Sequence, residues 1–289
     1  MTELPRRKLS EVLFIYEQHP ERMDVYVEGP FDASIVRWIL QELDLKSVVV
    51  YNISSIEVPK ADVLASRPRD NNRERLVVLS NIIEKSEALY SVCIVDSDFS
   101  LHSGDINCSE TLLLTDFPCM EGYLVDASSF EKFVILSCNR PNWSVERIIS
   151  NLLRVSRTLF YFRFTNELLG WDMAWPNKVS CLSVREWNIE FDALEFRKRW
   201  LSSNNMLGKI DEFDRKYNEL IKEHKGSVDM EFNGHDFFWV LSWALRNSGI
   251  SSPIADAESI RRAFTMALDV PRVLKFDLFS LISKRFIVN

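Results

Sequence analysis

Between residues 20 and 126, short β-branched runs alternate with segments of helical periodicity, and that alternation restricts the chain to a narrow group of folds. A helix over 7–18 precedes a strand at 23–28. The segment Ala33 to Leu43 repeats Ile35, Ile39, Leu40 and Leu43 at helical spacing. A strand from Ser47 to Ile53, a polar loop at 66–75 and a helix at about 72–87 come next. Strands are expected at Ser91–Val95 and Thr111–Thr115, and a helix is expected to begin near Pro118 and carry Glu121. Strands separated by helices imply an α/β fold with a parallel sheet flanked by helices, in which sites form beyond the carboxyl ends of the strands.

Two of those strand ends are acidic. Val25-Tyr26-Val27-Glu28-Gly29 is followed by Asp32, and Val92-Cys93-Ile94-Val95 runs into Asp96-Ser97-Asp98. Gly29 is expected to let the chain turn sharply as it leaves the sheet. Carboxylates one residue apart share a face of an extended segment, and two or three of them suffice for a hard divalent cation that keeps several waters. In phosphodiester chemistry such an ion stabilises the attacking and leaving oxygens. Taken singly, the Asp-x-Asp could equally be a turn and Glu28 a solvated strand end.

The charge is unevenly spread. The whole chain carries −7, but residues 1–128 hold 12 Lys/Arg against 22 Asp/Glu, net −10, which leaves +3 for residues 129–289. The acidic half is the one with the carboxylate clusters, and the slightly basic half could face phosphates. Forty-six per cent hydrophobic residues exclude global disorder. No apolar run approaches the roughly 18 residues that span a bilayer, and the start of the chain is not a signal-peptide core, so a cytoplasmic protein is expected. Five widely spaced cysteines without a CxxC pair argue against a disulfide framework or structural zinc.

From about residue 129 the texture changes. Beyond short β-like pieces at Phe160–Phe164 and Val179–Ser183, helical periodicity runs through 144–157, 190–201, 206–225, 234–247 and 256–268, with a hydrophobic tail to Val288. Seven of the eight tryptophans lie here, which suits core or interface anchoring. The expected division is therefore 1–128, catalytic, and 129–289, a mainly α-helical subdomain for partner, dimer or substrate contacts.

Val-Glu-Gly-Pro-Phe-Asp, then about 65 residues, then Ile-Val-Asp-Ser-Asp resembles the TOPRIM domain (a Rossmann-like fold) of topoisomerases, bacterial primases and OLD-family nucleases. Thr115-Asp116-Phe117-Pro118-Cys119-Met120-Glu121-Gly122 is similar to a segment in TOPRIM-like effectors of bacterial defence, the nucleases of PARIS phage-defence systems among them; Gly234-His235-Asp236 also fits. The resemblance covers residues 20–126 well and the remainder weakly. It implies a Mg²⁺- or Mn²⁺-dependent nuclease with Glu28, Asp96 and Asp98 as catalytic residues and metal ligands, and Glu121 as a further ligand. It further implies a toxic effector held inactive by an ABC/AAA-type ATPase subunit, active as a homodimer, with RNA, specifically tRNA, favoured over DNA. The lysine that OLD-type nucleases keep near the phosphate has no clear counterpart. Arg73, in Asn71-Asn72-Arg73-Glu74-Arg75, occupies the corresponding turn, where its fork can hold a phosphate but is a poor proton donor.

Other candidates are Asp32 and His235, the latter either a substrate contact or a structural cap. Arg197-Lys198-Arg199 with Arg154, Arg157, Arg261 and Arg262 reads either as a solvated helix face or as a phosphate track with Trp200 stacking on a base. The chain has no P-loop motif and no zinc ribbon. A non-catalytic TOPRIM-like scaffold and a DNA-directed nuclease are the alternatives.

Overall fold

The computed structural model describes residues 6–66, 69–86, 90–104, 106, 108–176, 179–224, 230–250 and 254–287. The expected end points at 87, 225 and 288, and part of the 66–75 loop, lie outside these residues. The chain divides into two compact units, Met1–Met120 with Asp269–Asn289, and Glu121–Leu268. Composition had suggested a division at 128.

The first unit is built on four parallel strands, β2 (Asp24–Val27), β3 (Val49–Asn52), β5 (Val92–Val95) and β6 (Leu112–Leu114), in the order β3-β2-β5-β6. A smaller parallel pair joins β1 (Arg7–Lys8) to β4 (Ile56–Glu57). All residues of β2 and β5 are buried, as the continuous apolar runs require of strands covered on both faces. Tyr26, Cys93, Val95 and Leu112 share a core with Val12 and Tyr16 of α1 (Leu9–Gln18), Val63 of α3 (Lys60–Ser66) and Leu76, Leu79 and Ile83 of α4 (Asn72–Lys85). Helix α2 (Pro30–Glu42) packs on β2 and β3. Short helices α5 (Ser100–Ser103) and α12 (Val270–Val273), and α13 (Asp277–Ile287), complete the unit.

At the amino end of β2 a fourth carboxylate is consumed structurally. Asp24, 1 % exposed, accepts from Tyr16 Oη at 3.1 Å and Arg22 Nε at 2.7 Å. Burial raises its pKa, against the pull of Arg22.

The second unit is mainly helical: α6 (Ala127–Lys132), α7 (Val145–Leu169), α8 (Ala193–Ser203), α9 (Ile210–Glu223), α10 (Gly234–Asn247) and α11 (Ala257–Met266), with an antiparallel hairpin of β7 (Leu182–Arg185) and β8 (Asn188–Phe191). The β-like reading of Phe160–Phe164 is corrected: these residues lie inside the 25-residue α7. Phe162 meets Phe196, Trp200, Phe213 and Tyr217 in an aromatic core, and Phe130, Phe237 and Phe264 form a second. Among the described residues no helix is long and apolar enough to cross a membrane.

Candidate active site

The sheet reverses its direction of growth between β2 and β5: the chain passes from β2 outward to β3, then returns to β5 and proceeds outward to β6. At such a switch point the two connections leave in opposite directions and open a crevice at the carboxyl ends. Glu28 follows the last residue of β2, and Asp96 the last residue of β5.

Five contacts draw the motifs together. Glu28 Oε1 accepts the Asp96 N–H at 2.9 Å, and its backbone carbonyl accepts from Asn72 Nδ2 at 2.9 Å. Arg73 Nε lies 3.5 Å from Asp98 Oδ2 and donates to the Asp96 carbonyl at 3.5 Å, while Nη2 donates to Ser100 Oγ. Arg73 is held there by the start of α4, where Asn71 caps the helix by accepting the Glu74 N–H at 2.9 Å. Asp32, in the first turn of α2, accepts the Gly29 N–H at 2.9 Å.

The chain passes from β2 to α2 through Glu28 and Gly29 alone, and Gly29 makes that turn without a glycine-specific conformation. Its φ of −138° is ordinary extended backbone, and it serves as the N-cap residue of α2 ahead of Pro30. The left-handed position falls instead on Asp98, at φ 43°, a conformation Asp tolerates better than most residues.

Burial pushes the Glu28 carboxyl up to about 8, and the neighbouring Asp98 and Asp32 charges add to the rise; the Asp96 N–H and Arg73 oppose it. Glu28 therefore carries its proton at neutral pH in the ion-free protein. The three acids are not gathered into a cage: among the described residues no group of three His, Cys, Asp or Glu side chains is arranged to hold a metal ion.

The Asp96–Asp98 loop is fastened to the segment after β6. Ser97 N–H donates to Thr115 Oγ1 (2.9 Å), Ser97 Oγ to the Phe117 carbonyl (2.6 Å), Asp98 N–H to the Pro118 carbonyl (3.0 Å), and Met120 N–H to Asp96 Oδ1 (3.0 Å). Sequence reasoning missed Asn72, Ser97, Ser100 and Thr115. The one available signal was the Thr115-Asp116-Phe117-Pro118 run, which proves to be a fastening as well as a lead to Glu121.

Glu121 and His235 belong to the second unit. Glu121 sits in a 3₁₀ turn (Met120–Leu124), not the expected helix, and pairs with Arg261 at 3.3 Å. A Cβ on Gly234 would fall 2.3 Å from the Glu121 carboxyl carbon, so a larger residue there requires the Glu121 side chain to shift away from the start of α10. Asp236 receives a bidentate Arg163 (2.7 and 3.0 Å) and Trp175 Nε1 (3.1 Å). His235, between them, is exposed.

The base-stacking part of the phosphate-track reading is corrected. Trp200 is 2 % exposed within the aromatic core and cannot stack on a base. Arg197 pairs with Asp214, Arg157 with Glu231, and Arg261 and Arg262 with Glu258. A cavity of about 800 Å³ in this unit is lined by Leu153, Arg157, Tyr161, Tyr217, Ile221 and His224, among others.

No known protein-family model matches the chain, and no curated protein matches it.

Proposed function

We propose that the first unit is a metal-dependent nuclease centre that hydrolyses phosphodiesters, with Glu28, Asp96 and Asp98 as its acidic set. The observation that carries the reading is the position of Glu28 and Asp96 directly after β2 and β5 at the switch point, with the Glu28 carboxylate on the Asp96 N–H and Arg73 beside Asp98. The donor set is all oxygen, which suits Mg²⁺ or Mn²⁺. A carboxylate offers about four acceptor positions, so accepting one backbone N–H does not exclude a cation. Bound by these residues, the ion supplies Lewis acidity at a phosphate oxygen. Glu28, with its carboxyl pushed up to about 8 in the ion-free protein, would release that proton on taking a cation. Arg73 brings a planar fork of donors that fits phosphate.

The resemblance to AriB, the effector of PARIS phage-defence systems, extends the proposal. On that basis the chain is a toxic effector of antiviral defence, released from an ATPase partner, active as a homodimer and directed at tRNA. A scaffold role is the second reading. It is favoured by the backbone N–H groups already bound to Glu28 and Asp96.

The test is to incubate the purified chain with tRNA, single-stranded RNA and plasmid DNA, with Mg²⁺, Mn²⁺ or chelator, beside Glu28→Ala. Metal-dependent RNA cleavage that drops at least 100-fold in the variant is expected. Cleavage that survives the substitution overturns the site, cleavage of plasmid alone shifts the substrate to DNA, and no cleavage of anything favours the scaffold.

A further inference from the structure

We infer that Asp116 is a positioning residue through which α13, more than 150 residues away in sequence, braces the acidic loop. Its carboxylate takes the first two N–H groups of α13, Asp277 on Oδ1 at 2.9 Å and Leu278 on Oδ2 at 3.2 Å. The next residue, Phe117, packs edge-on against Phe276 with ring centroids 5.0 Å apart. At the other end of α13, Arg285 donates to the Glu110 carbonyl. Glu110 and Asp116 flank β6, so the helix is tied to both ends of the edge strand.

Asp116 lies inside the segment that fastens Asp96, Ser97 and Asp98. Thr115, Phe117, Pro118 and Met120 each bond that loop. A carboxylate bridging two helix N–H groups is favoured by their aligned dipoles and fixes its own backbone in return. Fixing residue 116 holds the carbonyls of 117 and 118 where the loop needs them. The catalytic meaning of this brace rests on the reading of Glu28, Asp96 and Asp98 as a reaction centre.

The test is amide hydrogen exchange on the full chain, comparing wild type, Asp116→Ala, Asp116→Asn and Asp277→Pro, with RNA cleavage measured in parallel. Asp277→Pro removes one donor to Asp116 at a helix position where proline is favoured, and leaves Asp116 intact. In Asp116→Ala the amides of Ser97, Asp98 and Met120 are expected to exchange at least tenfold faster, while those of Val25–Val27 keep their protection. Asp116→Asn, still a helix-capping side chain, is expected to restore them to within about threefold. Cleavage follows the same order. Faster exchange confined to α13, or unchanged exchange at the three loop amides in both Asp116→Ala and Asp277→Pro, overturns the inference. If Asp116→Ala unfolds the unit, Asp277→Pro decides. A wild type that cleaves nothing removes the nuclease reading and leaves the exchange result to judge the brace.

Discussion

Glu28 behaves unlike an exposed strand-end acid because burial and two neighbouring carboxylates, Asp98 and Asp32, act on one carboxyl. Its pKa stands at about 8 in the folded protein against an ordinary 4.5. The native state therefore holds a proton that the unfolded chain has released, and stability falls as pH rises between about 4.5 and 8, then levels. The slope approaches roughly 1.4 kcal/mol per pH unit. Urea midpoints in chelator should show it, and Glu28→Gln should flatten it; a variant with the wild-type slope contradicts the assignment. Saturating Mg²⁺ should weaken or reverse the trend, because a cation bound by Glu28 competes with its proton. Gly234 is a second position where one atom decides. Gly234→Ala forces the Glu121 carboxyl to move and should cost roughly 1–3 kcal/mol, and a smaller cost in a Glu121→Ala background, read by a double-mutant cycle, is the expected coupling.

At the scale of elements, the acidic loop depends on a hydroxyl. Thr115 Oγ1 accepts the Ser97 N–H and donates to the Phe117 carbonyl at 2.6 Å. Thr115→Val keeps the shape and leaves a buried N–H unpaired, so a loss of about 1–3 kcal/mol is expected in chemical denaturation. This bond had no sequence signature, since it joins residues 18 apart that alternation alone leaves in separate strands. The four strands of the main sheet were legible because each is a short apolar run between polar segments, the two-residue β1 and β4 were too short to leave a pattern, and α10 was legible over its full length from its apolar spacing. Phe160–Phe164 was misread because its neighbours are buried too: Leu159, Phe160, Tyr161, Phe162 and Phe164 are all inside, which erases the one-sided stripe that distinguishes a helix. Glu28 and Asp96 do follow the ends of adjacent parallel strands, and Arg73 reaches the Asp96 carbonyl and Asp98 from the start of α4. That the turn at Gly29 needs no glycine-specific conformation was not legible, because a glycine letter does not reveal its φ.

For the whole molecule, the α/β unit is discontinuous. Residues 121–268 are inserted between Met120 and the returning segment from Asp269. A hydrophobic tail was legible from composition, but nothing local marks α13 as a member of the first unit, because its ties to Asp116 and Glu110 span 161 and 175 residues. Residues 1–120 made alone should lack cooperative unfolding. The same residues joined to 269–287 by a short flexible linker should recover it, as followed by circular dichroism during heating; cooperative melting of 1–120 alone would sink that expectation. The discontinuity also sets an order of events on the ribosome. The carboxylates of Glu28, Asp96 and Asp98 emerge early, but the helix that closes their unit is translated only after the entire inserted unit. A growing chain thus carries the acidic residues through translation of the whole inserted unit without the Asp116–α13 contact, and any activity that depended on that contact would stay silent until translation has passed residue 277.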